Sequence, residues 1–337
     1  MSLNRRDFLK LMGGSAAAFT FPSVLLQGCK KALEDASNRL PVIWIQGQSC
    51  SGCSVSLLNK FAPDIASVIT EHISLNFHQT VMGGTGDVAV RVLEEAVEKK
   101  RKDFVLVVEG SIPTKSDEFC TIGEVHGRKV GVREWVEKLG ENAKLLVSVG
   151  TCSAFGGIPA AVPMDGSDNP TGAVSVARLL KGKTVINVPG CPPHPDWIVG
   201  TLLYVILNKG KLPKLDEYNR PKLFYGTTVH EKCEHLGEYK SGKFAKVWGD
   251  EGCLYQLGCL GMDSGCDIPK RKWVGGFNSC TGCGAGCIGC TEDSFPDYGS
   301  RGIFKHLNAS LDDLNKLEHR ESMETILKLR DGGVIHG

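Results

Sequence analysis

Cysteine is the residue type that most strongly suggests chemistry in this sequence of 337 residues. The chain contains 14 cysteines and 41 glycines, and most of the cysteines lie in pairs or triplets beside glycine. Two pairs, Cys50/Cys53 and Cys287/Cys290, have the Cys-x-x-Cys spacing that is typical of metal sites. Thiolates are soft ligands that suit zinc, copper(I) and iron–sulfur clusters. The cysteines therefore predict metal binding, with the kind of metal still open.

Disulfides, zinc and iron–sulfur clusters are the three explanations for so many cysteines. Exported proteins usually form disulfides, but the Cys-x-x-Cys spacing disfavours them here. Zinc is well held by Cys₄ and Cys₃His sites. Iron–sulfur clusters use the same thiolates and are tuned by hydrogen bonds to their sulfurs, which glycine-rich loops such as 50–54 and 280–290 allow. The loops therefore favour iron–sulfur clusters over zinc and over disulfides.

Short apolar runs bounded by proline or glycine lead into several of these cysteine loops. Stretches with helical periodicity, such as 87–100, separate the runs, and this alternation is typical of a parallel α/β sheet. The predicted strands cover residues 41–46, 73–77, 104–109, 145–149 and 184–188. Three of them end just before Cys50/Cys53, Cys152 and Cys191. Because open parallel sheets bind ligands at the carboxyl ends of their strands, four thiols are expected to converge there.

The N-terminus has the pattern of an export signal. Arg5-Arg6 precedes a weakly apolar stretch at 11–26 that is too short to span a bilayer. Twin-arginine signals direct bacterial export, and residues 1–28 are accordingly predicted to be a removable signal peptide of a periplasmic protein. Cys29 follows a sequence similar to a lipobox, so that a lipid anchor and membrane association stay open.

The second half of the chain differs from the first in composition and in hydrophobic periodicity. Residues 206–300 are rich in glycine and cysteine and show little periodicity, so this segment needs metal or disulfides to order it. Residues 301–337 are predicted to form a helical extension, which either packs on its own domain or docks a partner. A formal net charge of +1 without a basic stripe argues against a nucleic-acid partner.

Several segments, in this order along the chain, resemble the small subunit of periplasmic NiFe hydrogenases, and the resemblance covers about residues 41–295. The segments that carry it are 42–54, 108–113, 150–159, 188–195, 229–233, 253–259 and 287–290. The resemblance implies an α/β fold, with a flavodoxin-like parallel-sheet domain at 40–205. A loop-rich iron–sulfur domain with little regular structure, at 206–300, is expected to follow.

The resemblance also implies three ligand sets. The proximal 4Fe–4S cluster is expected on Cys50, Cys53, Cys152 and Cys191, and the distal 4Fe–4S cluster on His230, Cys233, Cys253 and Cys259. The medial cluster is expected on Cys266, Cys280, Cys287 and Cys290. His235 matches no landmark of the family and is expected to be structural.

The medial set departs from the commonest family pattern. Many members have proline at the position of Cys280 and a 3Fe–4S medial cluster. The cysteine here is similar to the NiFeSe type and implies a 4Fe–4S cluster, or a 3Fe–4S cluster if Cys280 is not a ligand. Cys283 stays open as an alternate ligand or free thiol. With Cys29 and Cys120 it remains outside the three sets.

As implied by the resemblance, the chain is the electron-transfer subunit of a hydrogenase, which catalyses H₂ ⇌ 2H⁺ + 2e⁻. A large subunit would carry the nickel–iron site, and a cytochrome or iron–sulfur protein would exchange electrons with the complex. Two alternatives are an exported stand-alone iron–sulfur carrier and a zinc-stapled structural module. Glu109, at the end of a predicted strand, has three interpretations: facing the large subunit, lying in solvent, or capping.

Overall fold

The computed structural model describes residues 39–99, 102–161, 167–208 and 210–296. The predicted signal peptide at 1–28, Cys29 and the predicted helical extension at 301–337 lie outside these ranges. No helix within the described ranges has both the length and the apolar character that a membrane crossing requires.

Short runs of valine, isoleucine and leucine form most of the strands, as expected for residues that favour a buried pleated surface. The strands are β1 Leu40–Gln46, β2 Ile73–His78, β3 Val105–Glu109, β4 Thr121–Val125, β5 Arg128–Gly131, β6 Leu145–Val149 and β7 Val185–Val188. Five of them pair in parallel in the order β2-β1-β3-β6-β7, and β4 and β5 form a separate antiparallel hairpin.

The order of the parallel strands confirms the predicted flavodoxin-like sheet. When these five are counted along the chain, their order is 2-1-3-4-5, which is the flavodoxin-like arrangement. The chain moves outward from β1 to β2 and then returns to the other side of β1 at β3. The switch point, where this fold binds ligands, therefore lies between β1 and β3.

Helices cover both faces of the sheet. They are α1 Gly52–Leu58, α2 Ile65–Ser67, α3 Gly86–Glu98, α4 Val132–Asn142, α5 Thr151–Phe155, α6 Gly157–Ala160, α7 Val176–Leu179 and α8 Pro195–Leu207. A π-helical turn at Val68–His72 joins α2 to β2. The sequence predicted α3 to within two residues. The β4–β5 hairpin was not predicted, because Gly123 and three charged residues, Glu124, Arg128 and Lys129, interrupt any alternation of apolar side chains.

Two apolar layers pack against opposite faces of the sheet, because successive residues of a strand point to opposite sides. Val42, Trp44, Val147 and Val149 face one layer, in which Trp197 of α8 is buried. The other layer buries alternate strand residues against α3 and α4. Its strand residues are Ile43, Ile45, Leu106, Val108, Leu146 and Val185.

Residues 210–296 have little regular structure, as predicted. Their helices have five residues or fewer: α9 Lys222–Tyr225, α10 Leu236–Lys240 and α11 Ile268–Arg271, with 3₁₀ turns at His230–Lys232, Leu254–Leu257 and Thr281–Cys283. α8 ends at Leu207, just past the boundary expected at 205/206. Such short elements cannot build an extended core of their own, and Phe224, Tyr225, Val229 and Ile268 instead pack into the apolar layer around Trp197.

Candidate metal-cluster sites

The carboxyl edge of the sheet aligns the loops that carry the first set of cysteines. Gln46 pairs with Glu109, Glu109 with Val149, and Val149 with Val188, so that four strands end in one row. The loops after β1, β6 and β7 leave this row on the same side. The parallel register therefore brings distant parts of the sequence to one place.

Four thiols, the proximal group, meet at this edge: Cys50, Cys53, Cys152 and Cys191. Burial raises the pKa of Cys53 well above its usual value, and Glu109 and the other three thiols raise it further. Burial likewise raises the pKa of Cys152 to about 11, with an added contribution from Cys191. A buried thiol ionises when a positive partner such as a metal centre is present, and binding then releases its proton.

Glycines leave room around these sulfurs. A Cβ atom on Gly150 would lie 2.5 Å from the Sγ of Cys53, and one on Gly157 would lie 2.9 Å from the Sγ of Cys152. Both glycines also have positive φ, 88° and 53°, which disfavours any side chain. This part of the loops therefore leaves the thiols accessible to a bulky ligand from the backbone side.

Glu109 is buried and holds the proximal loop. Its carboxylate accepts hydrogen bonds from the backbone N–H of Cys53 at 3.1 Å and from the indole N–H of Trp44 at 3.0 Å. It also accepts from Ser49 Oγ at 3.1 Å and from the Ser54 hydroxyl and amide. The amides of Cys53 and Ser54 belong to the first turn of α1. The capping interpretation of Glu109 is therefore correct, and the solvent and interface interpretations are wrong.

A second set of side chains, the distal group, comprises His230, Cys233, Cys253 and Cys259. All four line one cavity, together with Tyr255 and Met262. The ring of His230 packs edge-on against Tyr239 at a centroid distance of 4.5 Å. His235 lies nearby, but its two ring nitrogens contact Glu238 Oε2 at 2.5 Å and the carbonyl oxygen of Thr281 at 3.2 Å. Its ring is thus engaged in structural contacts.

A third set, the medial group, lines an apolar cavity of about 240 Å³. Its members are Cys266, Cys280, Cys287 and Cys290. Burial raises the pKa of Cys287 to about 12 and that of Cys290 higher still. Trp197 and Trp273 line the same cavity. Cys191 of the proximal group lines this cavity too, so five thiols surround one apolar space, which is a setting that suits a metal cluster.

The remaining cysteines lie elsewhere. Cys283 and Cys280 are both exposed, but only Cys280 lines the medial cavity, and Cys283 is close enough to raise the pKa of Cys280. Cys120 is half-buried against the layer that contains Ile122 and Val130. This placement favours Cys280 over Cys283 as the fourth member of the medial group.

The three groups are contiguous in the order proximal, medial, distal. Cys191 of the proximal group lines the medial cavity beside Cys290, and the Thr151 hydroxyl donates to the carbonyl oxygen of Cys290, so the proximal and medial groups adjoin. The backbone N–H of Cys287 donates to the Sγ of Cys259 at 3.2 Å, which joins the medial and distal groups. The fold therefore arranges twelve candidate ligands as a chain of three adjacent sets.

The donor set of the medial cavity is rich in thiols. No cysteine in the described ranges is paired in a disulfide. Over the same residues, no group of three His, Cys, Asp or Glu side chains is placed to hold a single metal ion. Several thiols around one apolar cavity are a donor set that fits an iron–sulfur cluster.

Comparisons with known proteins agree with this arrangement. The family model for the C-terminal region of NiFe/NiFeSe hydrogenase small subunits matches residues 225–301, and the model for the NADH ubiquinone oxidoreductase 20 kDa subunit matches residues 50–205. The periplasmic [NiFeSe] hydrogenase small subunit of Desulfomicrobium baculatum is 42% identical, over 88% of this chain and 97% of the relative. This chain belongs to the NiFe/NiFeSe hydrogenase small subunits.

Other hydrogenase small subunits give the same result. The quinone-reactive Ni/Fe-hydrogenase small chain of Wolinella succinogenes is 41% identical, over 88% of this chain and 82% of the relative. The crystal structure of H₂-activated [NiFeSe] hydrogenase from Dm. baculatum matches with a TM-score of 0.71 and 44% identity, covering 77% of this chain and 96% of the other. The fold and family predicted from the sequence are confirmed.

Sequence reasoning missed a buried ion network in this hydrogenase small subunit. Arg220 pairs with Glu292 at 2.9 Å and with Asp216 at 2.7 Å, and Glu292 also accepts from the backbone N–H of Gly265 at 2.7 Å. Arg220 also donates to the carbonyl oxygen of Thr291 at 3.0 Å. Gly265 and Thr291 adjoin Cys266 and Cys290, so the network fixes two medial segments. Its sequence signal is weak, because Glu292 lies 72 positions from Arg220 although Asp216 lies only four positions away.

Proposed function

We propose that the chain is the electron-transfer subunit of a heterodimeric hydrogenase that interconverts H₂ with two protons and two electrons. The observation that carries the proposal is the contiguity of the three ligand groups: Cys191 lines the medial cavity, and the backbone N–H of Cys287 donates to the Sγ of Cys259. Within the family established above, such a row suits the passage of electrons between a buried reaction site and an external partner.

Each ligand group is proposed to hold one 4Fe–4S cluster, which supplies a one-electron redox site when bound. The proximal group belongs to the 40–205 domain, and the medial and distal groups belong to the 206–300 domain. Eleven cysteines and one histidine complete three sets of four. The chain's own residues orient the thiolates, exclude water and donate hydrogen bonds to sulfur, and these factors adjust a cluster's potential.

His230 gives the distal group a neutral ligand among three anionic ones. An imidazole in place of a thiolate makes the net charge of a site less negative, and a less negative site is easier to reduce. The distal site is therefore expected to have a higher potential than it would with a fourth thiolate. Exposed Tyr255 and Met262 line the same cavity, so that this end of the row lies near the surface.

The hydrogenase large subunit is proposed to cover the face around Cys50 and Cys191, which are both exposed. Beside them α1 exposes Val55, and the neighbouring loops expose Phe61 at 76% and Phe277 at 84%. Obligate partners bury large apolar surfaces of this kind. Phe61→Asp and Phe277→Asp should each reduce co-purification of the large subunit, and unchanged recovery would contradict this placement.

Periplasmic location after twin-arginine export is proposed from Arg5-Arg6, and the periplasmic name of the D. baculatum relative supports it. A cytochrome or an iron–sulfur protein is proposed as the external redox partner. Lipidation of Cys29 would add membrane association; mass spectrometry of the mature N-terminus tests this, and an unmodified Cys29 would argue against it.

The test is metal and sulfide analysis of the purified heterodimer, combined with H₂-dependent reduction of an artificial acceptor. We expect about twelve iron and twelve acid-labile sulfide from the three clusters, with about one further iron from the nickel–iron site of the large subunit. An iron-free complex that still reduces the acceptor would refute the proposal. A small subunit that is stable and iron-loaded without any partner would favour the stand-alone carrier.

A further inference from the structure

Thr151 lies where the proximal and medial groups meet. It precedes Cys152 at the start of α5 and is only 1% exposed. Its backbone N–H donates to the carbonyl oxygen of Gly190 at 3.1 Å. Its hydroxyl accepts from the backbone N–H of Gly190 at 2.8 Å and donates to the carbonyl oxygen of Cys290. One side chain thus joins the segments that carry Cys152, Cys191 and Cys290.

The direction of these hydrogen bonds is determined by the available donors and acceptors. A threonine hydroxyl has one proton to donate and lone pairs to accept. The Gly190 amide has only a proton, and the Cys290 carbonyl has only lone pairs, so the hydroxyl proton points towards Cys290. A hydroxyl can accept and donate at the same time, so it can bridge this amide and this carbonyl.

Side chains that are not ligands bridge both junctions between the ligand groups. At the medial–distal junction the backbone N–H of Cys287 donates to the Sγ of Cys259 at 3.2 Å. The carboxylate of Glu234, which follows Cys233, also accepts from the Thr281 hydroxyl, which follows Cys280, at 2.8 Å.

At the proximal–medial junction the side-chain bridge is the Thr151 hydroxyl, which joins Gly190 to Cys290. Because Thr151 is not itself a ligand, this junction can be altered without changing one.

We propose that Thr151 is a positioning residue that couples the proximal and medial sites electronically. The inference rests on the proposed electron-transfer function. Each electron from H₂ would pass singly, so that the proximal site is oxidised as the medial site is reduced. No bond forms or breaks at Thr151, and its hydroxyl keeps its proton. Electronic coupling decays less steeply through covalent and hydrogen bonds than across a gap, so the bridge favours this transfer.

The test compares Thr151→Val, which removes the hydroxyl at similar volume, with Thr151→Ser, which keeps it. Thr201→Val is the matched control, because Thr201 is also 1% exposed and its hydroxyl bonds only within α8, to the Trp197 carbonyl at 2.6 Å. For each heterodimer we would measure iron content, the magnetic interaction between the reduced proximal and medial sites by EPR, and the rate of proximal-to-medial transfer. Exchange of D₂ with water protons serves as the internal reference for the reaction site, because this exchange does not require an electron to pass from that site to the clusters.

We expect Thr151→Val to slow the transfer several-fold and to weaken the magnetic interaction, with iron content and D₂ exchange unchanged. Thr151→Ser and Thr201→Val should match the unmodified complex. A fully loaded Thr151→Val complex with an unchanged rate and unchanged magnetic interaction would overturn the inference, as would a Thr151→Ser complex that is equally slow. If the Thr151→Val heterodimer does not assemble, comparing Thr151→Ala with Thr151→Ser tests the same loss of the hydroxyl. An unmodified complex without iron would instead refute the proposed function itself.

Discussion

The carboxylate of Glu109 accepts the backbone N–H of Cys53 at 3.1 Å, so that a buried acidic group adjoins a proposed cluster ligand. Glu109 is 0% exposed and receives hydrogen bonds from Trp44, Ser49 and Ser54 as well. Ionised carboxylates accept hydrogen bonds without donating them. The site therefore places a fixed negative charge beside the proximal group.

Replacing Glu109 with glutamine should raise the reduction potential of the proximal site, because a less negative surrounding favours the added electron. The substitution should also lower stability by about 1–3 kcal/mol, since the amide NH₂ replaces an acceptor in a buried network. EPR-monitored redox titration measures the first effect and thermal unfolding the second. Glu141→Gln, at an exposed position of α4, is the control. A proximal potential that falls or stays constant would contradict the assignment.

Cys280→Pro should convert the medial site to a 3Fe–4S cluster and raise its potential. Cys280 lines the medial cavity, and its φ of −58° suits proline, so the backbone need not rearrange. Loss of one anionic thiolate makes the site easier to reduce. EPR of the oxidised protein should show a 3Fe–4S signal in the variant and none in the unmodified complex.

Cys283→Ser is the matched comparison for Cys280→Pro. It should leave the medial signal and the iron content unchanged, because Cys283 lies outside the cavity lining. If Cys283→Ser instead produces the 3Fe–4S signal, Cys283 and not Cys280 is the fourth medial ligand.

Arg220→Met should destabilise the medial segments strongly. The Arg220 and Glu292 side chains are only 7% and 10% exposed. Removing the guanidinium of Arg220 leaves the carboxylate of Glu292 buried beside Gly265 without its positively charged partner. Breaking a buried ion pair on one side costs about 3–5 kcal/mol. We expect a lower Tm and faster iron release from the purified heterodimer on heating.

The control for Arg220→Met is Arg128→Gln, which removes an ion pair with Glu134 whose arginine side chain is 61% exposed. Exposed pairs contribute about 0–1 kcal/mol, so its Tm should hardly change. If Tm falls by the same amount in both variants, the Arg220 network has no special role in holding the medial loops.

Acidification should destabilise the protein partly through His194. Burial lowers the pKa of His194, although Asp196 partly offsets this. In the unfolded chain this histidine has an ordinary pKa of about 6.5. Just below that pH the unfolded chain therefore binds a proton at His194, whereas the folded chain does not. Stability from this source is present above about pH 6.5 and is lost as the pH falls towards the folded value.

His194→Gln should reduce this pH dependence. Glutamine can accept from the Asp196 amide and donate to the Lys272 carbonyl, as the ring nitrogens of His194 do at 3.1 Å each. We expect the difference in Tm between pH 7.5 and pH 5.5 to be smaller in the variant. Identical pH profiles would assign the acid sensitivity to other groups.

Much of this protein could be predicted from local sequence. β6 was predicted with its bounds, and β1 and β3 to within one residue at one end, because each is a mainly apolar run that ends at a change of residue type. The cysteine loops follow the strand ends, so the convergence of Cys50, Cys152 and Cys191 followed from parallel topology. The ligand assignments themselves stay predictions for metal analysis and spectroscopy.

Contacts between distant segments could not be predicted in this way. Glu109 was interpreted from its place at a strand end, yet its partners come from β1 and the first turn of α1. Thr151 and Cys290 are separated by 139 positions, and Arg220 and Glu292 by 72. Residue types and spacing determine which ligands are present, because donor chemistry and strand formation are local properties. Tertiary structure alone decided which groups of ligands adjoin and which polar side chains join them, because hydrogen bonds between remote segments depend on packing that no short stretch of sequence encodes.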